Sequence, residues 1–258
     1  MKVRSPSSST LRKRSSSSSS SSGRAKTAEK WTCATVLREL QRLADPKVRA
    51  KLAYFGINAS KAYGISTPAL HALARRIGRD QDLAEQLWSS GIHEARILAA
   101  LVGEPEKITA AQMERWVRDF DSWDVVDSTC CYLYAAAKPA WNKIYEWSKR
   151  RGEFEKRAAF SLAAYVSYKD KSAEDARFEE FLSVIEREAR DERNFVRKAV
   201  NWALRNIGKR NLQLNRAAIQ AAERIRRQDS RSARWIAADA LRELNSEAVQ
   251  ARLRKKAV

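Results

Sequence analysis

Residues 191–211 read DERNFVRKAVNWALRNIGKRN. Wound at about 100° per residue, Val196, Ala199, Val200, Ala203, Leu204 and Ile207 fall on one face, the expected core face. Asp191 is placed to cap this helix and Gly208 to end it. The opposite face carries Asn194, Lys198, Arg205 and Lys209. Trp202 sits on this basic side, roughly 130° from the centre of the apolar stripe, and Phe195 lies one heptad earlier on the same side. An aromatic ring among cations at helical spacing suits a surface for phosphates and bases. It equally suits a second packed face, because helices in stacked arrays are buried on several sides.

Outward from this stretch the chain reads as helix after helix. The spacing predicts helices near 29–45, 47–54, 67–77, 80–90, 92–102, 109–120, 122–137, 139–151, 153–168, 174–190, 191–208, 211–228, 230–244 and 246–256, with a loop at 55–66. Asp45-Pro46 ends the first, and Thr67-Pro68 opens the third with proline at its favoured first position. Connections are short, so successive helices pack antiparallel. Pairs starting near 92, 122, 153, 191 and 230 recur every 30 to 39 residues. DERNFVRKAVNWALR and DSRSARWIAADALR share an opening Asp, a mid-helix Arg (Arg197, Arg234) and a closing Ala-Leu-Arg. The expected fold is all-α: a HEAT-like helical-repeat solenoid over 29–258 with a concave basic face.

Composition agrees. Proline and glycine number only 5 and 8 in 258 residues, and helix formers dominate. Formal net charge is +19. Residues 1–28 are Ser-rich and basic, with serines filling 15–22, and are expected to be a disordered arm. That arm carries seven cations and no acid up to residue 26, leaving +12 for the folded part. A body this basic points to a polyanion, above all duplex DNA. A HEAT-type protein scaffold is the competing class, and salt separates them, since DNA binding weakens steeply with salt. No run of about 20 apolar residues exists, so no membrane span is expected. Three cysteines (Cys33, Cys130, Cys131) form no CxxC, and only His71 and His93 could serve as imidazoles. No metal site and no cofactor are expected, and chemistry must use carboxylates, hydroxyls or cations.

One carboxylate stands out. In DSWDVVDSTCCYLYAAA (121–137), Trp123, Asp127, Cys130 and Tyr134 line up on a helix, flanked by Val126 and Leu133. Asp127 interrupts an apolar and aromatic stripe, so it needs a partner or a task. Arg157, at the edge of the uncharged 158–168 stretch, is a candidate partner one repeat on. The pair reads as an ion pair between repeats or as part of a site in which Arg157 grips a phosphate. The Gly208-Lys209-Arg210-Asn211 corner grips phosphate or neutralises a helix C-terminus. Trp88, Trp116, Trp141, Trp147 and Trp235 are expected in the core, and His71 and His93 as surface or packing residues.

SWDVVDS (122–128), FEKRAA (154–159) and NFVRKAVNWALRNIGKRN (194–211), with YFGI (54–57) and GISTPAL (64–70), resemble the motifs of the AlkD-type DNA alkylation repair family. These are HEAT-like glycosylases that excise cationic alkylpurines. The resemblance covers roughly residues 35–245. It implies Asp127 as the catalytic carboxylate, Arg157 as the cation of the site, and Trp123 and Trp202 as aromatic walls against the lesion nucleotide. Lys198, Arg205, Lys209 and Arg210 are the expected DNA contacts. The implied activity is hydrolysis of the N-glycosidic bond of 3-methyladenine or 7-methylguanine in duplex DNA by a monomer of the bacterial cytoplasm, associated with the nucleoid. The alternative is a nonenzymatic HEAT-like protein that binds distorted or damaged DNA. The family's aromatic on the first helices has no clear counterpart here, because Tyr54 and Tyr63 lie in or beside the longer Gly-Ile loop.

Overall fold

The computed structural model describes residues 31–256, which contain fourteen α-helices and no strand. The Ser-rich arm expected at 1–28 lies outside the described residues. From Trp31 onward the chain clusters as one compact unit. The helices are α1 (Cys33–Arg42), α2 (Pro46–Leu52), α3 (Thr67–Ile77), α4 (Gln81–Ser89), α5 (His93–Val102), α6 (Ala110–Val117), α7 (Trp123–Tyr132), α8 (Ala140–Ser148), α9 (Glu153–Lys169), α10 (Asp175–Glu188), α11 (Asn194–Gly208), α12 (Leu212–Arg226), α13 (Arg231–Leu244) and α14 (Glu247–Lys256). All fourteen expected helices are present; most are trimmed by one to five residues at an end, the one at 67–77 keeps its expected bounds, and the one expected at 153–168 runs one residue longer. No helix is long and apolar enough to cross a membrane among the described residues.

The helices stack in two layers. In the inner layer α5 packs on α7, α7 on α9, α9 on α11, and α11 on α13. Four of them pair with the helix before them: α4 with α5, α8 with α9, α10 with α11, α12 with α13. This is a HEAT-like repeat stack. α9 lies at its centre and is buried on nearly every side, from Ala158 to Ala164 without a break. That accounts for the absence of charge in this part of its sequence, since an unpaired charge there would be desolvated. The six core-face residues of α11, Val196, Ala199, Val200, Ala203, Leu204 and Ile207, are all fully buried.

Two details of α11 depart from the expected capping. Arg193, not Asp191, holds the N-cap position, and no side chain caps the helix. Asp191 instead accepts the Arg193 backbone N–H at 3.1 Å, grips the Arg193 guanidinium and lies 3.6 Å from the Lys156 ammonium. Gly208 is the last helical residue and has no need of a left-handed conformation. A Cβ there would stand 2.7 Å from Leu244 and 2.9 Å from Ala218, so glycine is required by close packing of α11 on α12 and α13.

The tryptophans divide differently from expectation. Trp88 and Trp116 stack face to face at 4.0 Å in the core, and Trp147 is fully buried beyond Tyr134. Their indole N–H groups donate to Asp119, Glu85 and Glu114 respectively. Trp141 packs half-buried against Phe178. Trp235, expected in the core, is 40% exposed. Its position on α13 points away from the buried row Ala233, Ile236, Ala237 and Ala240.

Candidate functional site

Three successive inner helices bring the site together. α7 contributes Trp123 and Asp127, α9 contributes Arg157, Ser161 and Tyr165, and α11 contributes Asn194, Phe195, Lys198 and Trp202. Arg157 reaches back one repeat to Asp127 through both ends of its fork. Its Nε donates to Oδ1 at 3.1 Å and its Nη2 to Oδ2 at 2.7 Å. Its remaining nitrogen, Nη1, donates forward to the Phe195 carbonyl at 2.7 Å. The guanidinium therefore staples α7, α9 and α11. Its side chain is only 7% exposed, and that of Asp127 16%.

Ser161 adds a hydroxyl donor to Asp127 Oδ1 at 2.8 Å. An ionised carboxylate has about four lone-pair directions. Three are taken here, and the open one is on Oδ2. The Arg157 guanidinium lies 5.9 Å from the Trp123 ring centre, within cation–π range. Burial, and after it the negative charge of Asp127, push the phenol of Tyr165 well above its ordinary range. Tyr165 is therefore a neutral wall of the site. Trp202 packs edge-on against it at 4.9 Å and is half-buried. One edge of Trp202 thus serves packing.

Above Arg157 lies a cleft of 550 Å³, lined by Tyr54, Phe55, Trp123, Arg157, Asn194, Phe195 and Lys198 among others. Its aromatic rim was not legible in the sequence. A short 3-10 turn, Ala53–Phe55, follows α2 and presents Tyr54, 88% exposed, beside Phe55. Gly56 makes this possible. Its φ is +69°, and a Cβ there would stand 2.7 Å from the Phe195 ring. Only glycine lets the turn settle on α11. The Trp123 indole N–H secures it, donating to the Phe55 carbonyl at 2.8 Å. Farther along the loop, the buried Glu94 carboxylate accepts the backbone N–H groups of Tyr63, Gly64 and Ile65 at 2.9, 2.6 and 3.2 Å. The signal available in the sequence was the aromatic pair before a glycine. Its target, Phe195, lies far along the chain.

The expected cations meet different fates. Lys198 is exposed, lines the cleft, and makes no ion pair among the described residues. Arg205 and Lys209 turn to α13: both bind Glu243, Lys209 at 2.6 Å, and Arg205 also approaches Asp239 at 3.5 Å. They form an inter-repeat latch whose charge is largely offset. Arg210 corrects the expectation of a phosphate contact. Its guanidinium binds Asp175 at 3.2 Å, takes the carbonyls of Ser167, Asp170, Lys171 and Ala173, and lies over the Phe178 ring. Every donor is occupied, so Arg210 is a structural clamp.

Asp124, one residue past Trp123, faces the other way and hydrogen-bonds His93 at 2.9 Å. His93 is only 6% exposed. Burial opposes its charge, but the hydrogen bond and charge of Asp124, with Glu94 and Asp121 beyond, prevail and raise its pKa. A folded pKa above the unfolded value near 6.5 gives a stabilisation that is complete below that value and lost as pH rises through the folded one. The unfolding midpoint of the protein is therefore expected to exceed that of His93→Gln most below about pH 6.5, with the gap narrowing as pH rises above that value. Thermal melts across this range check it. A gap that widened with pH would mean that His93 is held neutral.

The model of the family described as DNA alkylation repair enzyme matches residues 36–244. The chain belongs to the DNA alkylation repair family. A solved structure similar in fold, with TM-score 0.72 and 19% identity, covers 86% of this chain and 96% of its own. It is described as one of a new family of proteins related to the HEAT-like repeat DNA glycosylases, with affinity for branched DNA structures. No curated protein matches the sequence significantly. Membership of the DNA alkylation repair family and the repeat fold fit together: the family match runs from the first turn of α1 to the end of α13, the span that builds both the cleft and its supports.

Proposed function

We propose that the protein is a DNA glycosylase that hydrolyses the N-glycosidic bond of cationic alkylated purines, 3-methyladenine and 7-methylguanine, in duplex DNA. The observation that carries this reading is Asp127, an almost buried carboxylate with one open lone pair, set among Trp123, Arg157 and Tyr165. An alkylated purine already carries positive charge. It leaves with the C1′–N bonding pair as a neutral base, so no general acid is needed. Positive charge then develops on the sugar. A fixed carboxylate stabilises that oxocarbenium character, and the oxygen of water adds to C1′ while its proton passes to solvent. The products are free base and an abasic site. Trp123 and the exposed rings of Tyr54 and Phe55 offer electron-rich faces to a cationic lesion, and Lys198 offers an unpaired charge to phosphate. In this reading the protein acts as a monomer on the chromosome.

A second reading is that the protein binds branched or distorted DNA without cutting it. The three donors already on Asp127 favour it, because Arg157 and Ser161 offset much of the carboxylate's charge. So does the description of the structural relative. Incubation with a duplex carrying a single 7-methylguanine, followed by cleavage of abasic sites, separates the two. The glycosylase reading expects lesion-dependent release well above the spontaneous rate. Release at the spontaneous rate on this lesion and on 3-methyladenine, with salt-sensitive binding retained, establishes the second.

A further inference from the structure

Trp235 is the exposed indole that the candidate site leaves unused. Aligned on their closing Ala-Leu-Arg, the α11 and α13 segments place Trp235 where α11 carries Lys198, the exposed cation of the cleft. The two helices pack side by side in the inner layer. Arg197 lies behind the indole, its guanidinium 5.3 Å from the ring centre. The Arg197 Nη2 is within 3.4 Å of the side-chain oxygen of Asn194, which itself lines the cleft. Its Nε is buried with no hydrogen-bond partner among the described residues. The ring is thus backed by a cation on one face, and a short path of contacts runs from it to the cleft.

The surroundings are cationic. Arg231 stands one turn before Trp235 on α13, exposed and without an ion pair among the described residues. Arg234 and Arg242 are exposed as well, facing Asp229 and Asp239. A large exposed indole rimmed by arginines is poorly suited to solvent and poorly suited to an apolar protein surface. It suits a polyanion that presents flat π-faces. In an intact duplex those faces are covered by neighbouring base pairs. They become available only where a base has left the stack.

We propose that Trp235, backed by Arg197, is a stacking platform for an unpaired nucleotide, one repeat beyond the cleft, on a strand that departs from the bound duplex. The proposal rests on the reading of the cleft as a duplex-binding site and specifies which part of the nucleic acid the neighbouring repeat takes. Arg231 and Lys198 hold the flanking phosphates, and the indole takes the base without regard to sequence, because every base has a π-face.

The test compares two probes on the full chain by fluorescence anisotropy: a fully paired duplex, and the same duplex ending in a single-stranded branch. The expected result is tighter binding of the branched probe. In Trp235→Ala that preference falls by about ten- to a hundred-fold, duplex affinity is unchanged, and Trp235→Phe keeps most of the preference. Equal loss on both probes in Trp235→Ala overturns the platform, as does wild-type preference in that variant. Both of those outcomes leave the duplex reading standing. Failure of the wild-type protein to bind either probe in a salt-sensitive way removes the duplex reading and the platform with it.

Discussion

Asp127→Asn is expected to lower base release from a 7-methylguanine duplex by about a hundred- to a thousand-fold, the usual cost of removing one preorganised charge-stabilising group. Affinity for the intact duplex should stay near the wild-type value. The substitution is nearly isosteric. Asparagine Oδ1 still accepts from Arg157 and Ser161, so much of the network that joins α7 to α9 survives. What disappears is the negative charge and the open Oδ2 lone pair, and these are the features the oxocarbenium-like sugar would use. Duplex binding, by contrast, would on the proposed reading draw on Lys198 and the aromatic rim of Tyr54 and Phe55, and none of these is hydrogen-bonded to Asp127. Release at the wild-type rate in Asp127→Asn would mean that the carboxylate only braces the repeats. A parallel loss of release and duplex binding would mean that the variant has disturbed the cleft.

The fold was legible because its signals are local. The stripe Val196 to Ile207 dictates its own burial, and at several helices a capping residue such as Asp45, Asp80 or Thr109 marks the start. The pairing of Asp127 with Arg157 was legible for a related reason: a repeat unit of near-constant length places residues about one repeat apart against each other. The cleft was harder. Tyr54 and Phe55 reach it only because Gly56 lies on Phe195, and nothing in the local sequence names that partner. Arg210 shows the opposite failure. A run of cations at a helix end looks like a phosphate grip, yet the carbonyls that occupy Arg210 come from the last turn of α9 and the loop after it. Charge on a helical wheel tells where a cation points and says nothing of the acids on the next repeat, which is why Arg205 and Lys209 proved to be latched to α13. Trp235 was missed because a tryptophan is read as core unless its helix phase is fixed, and that phase follows from the row of alanines beside it.

The network predicts a marked asymmetry in stability. Arg157→Ala is expected to destabilise the protein by about 3–5 kcal/mol, the range for removing one partner of a buried ion pair. At roughly 2–4 °C per kcal/mol for a chain of this size, the unfolding midpoint should fall by about 10 °C. The cause is less the loss of attraction than what is left behind. The Asp127 carboxylate would be left with only Ser161 to hydrogen-bond it, and the Phe195 carbonyl would lose its donor. Removing the charge of Asp127 as well should recover part of that loss, so Asp127→Asn combined with Arg157→Ala is expected to be more stable than the sum of the single changes. Arg157→Lys preserves charge but cannot span two carboxylate oxygens and a carbonyl on three helices, since an ammonium is a point charge where the guanidinium is a fork. It should fall between wild type and Arg157→Ala. Strictly additive single and double variants would show that the two side chains are coupled only weakly. Asp127 would then be held by its surroundings rather than by Arg157, and its carboxylate would be freer for chemistry than the three filled lone pairs suggest.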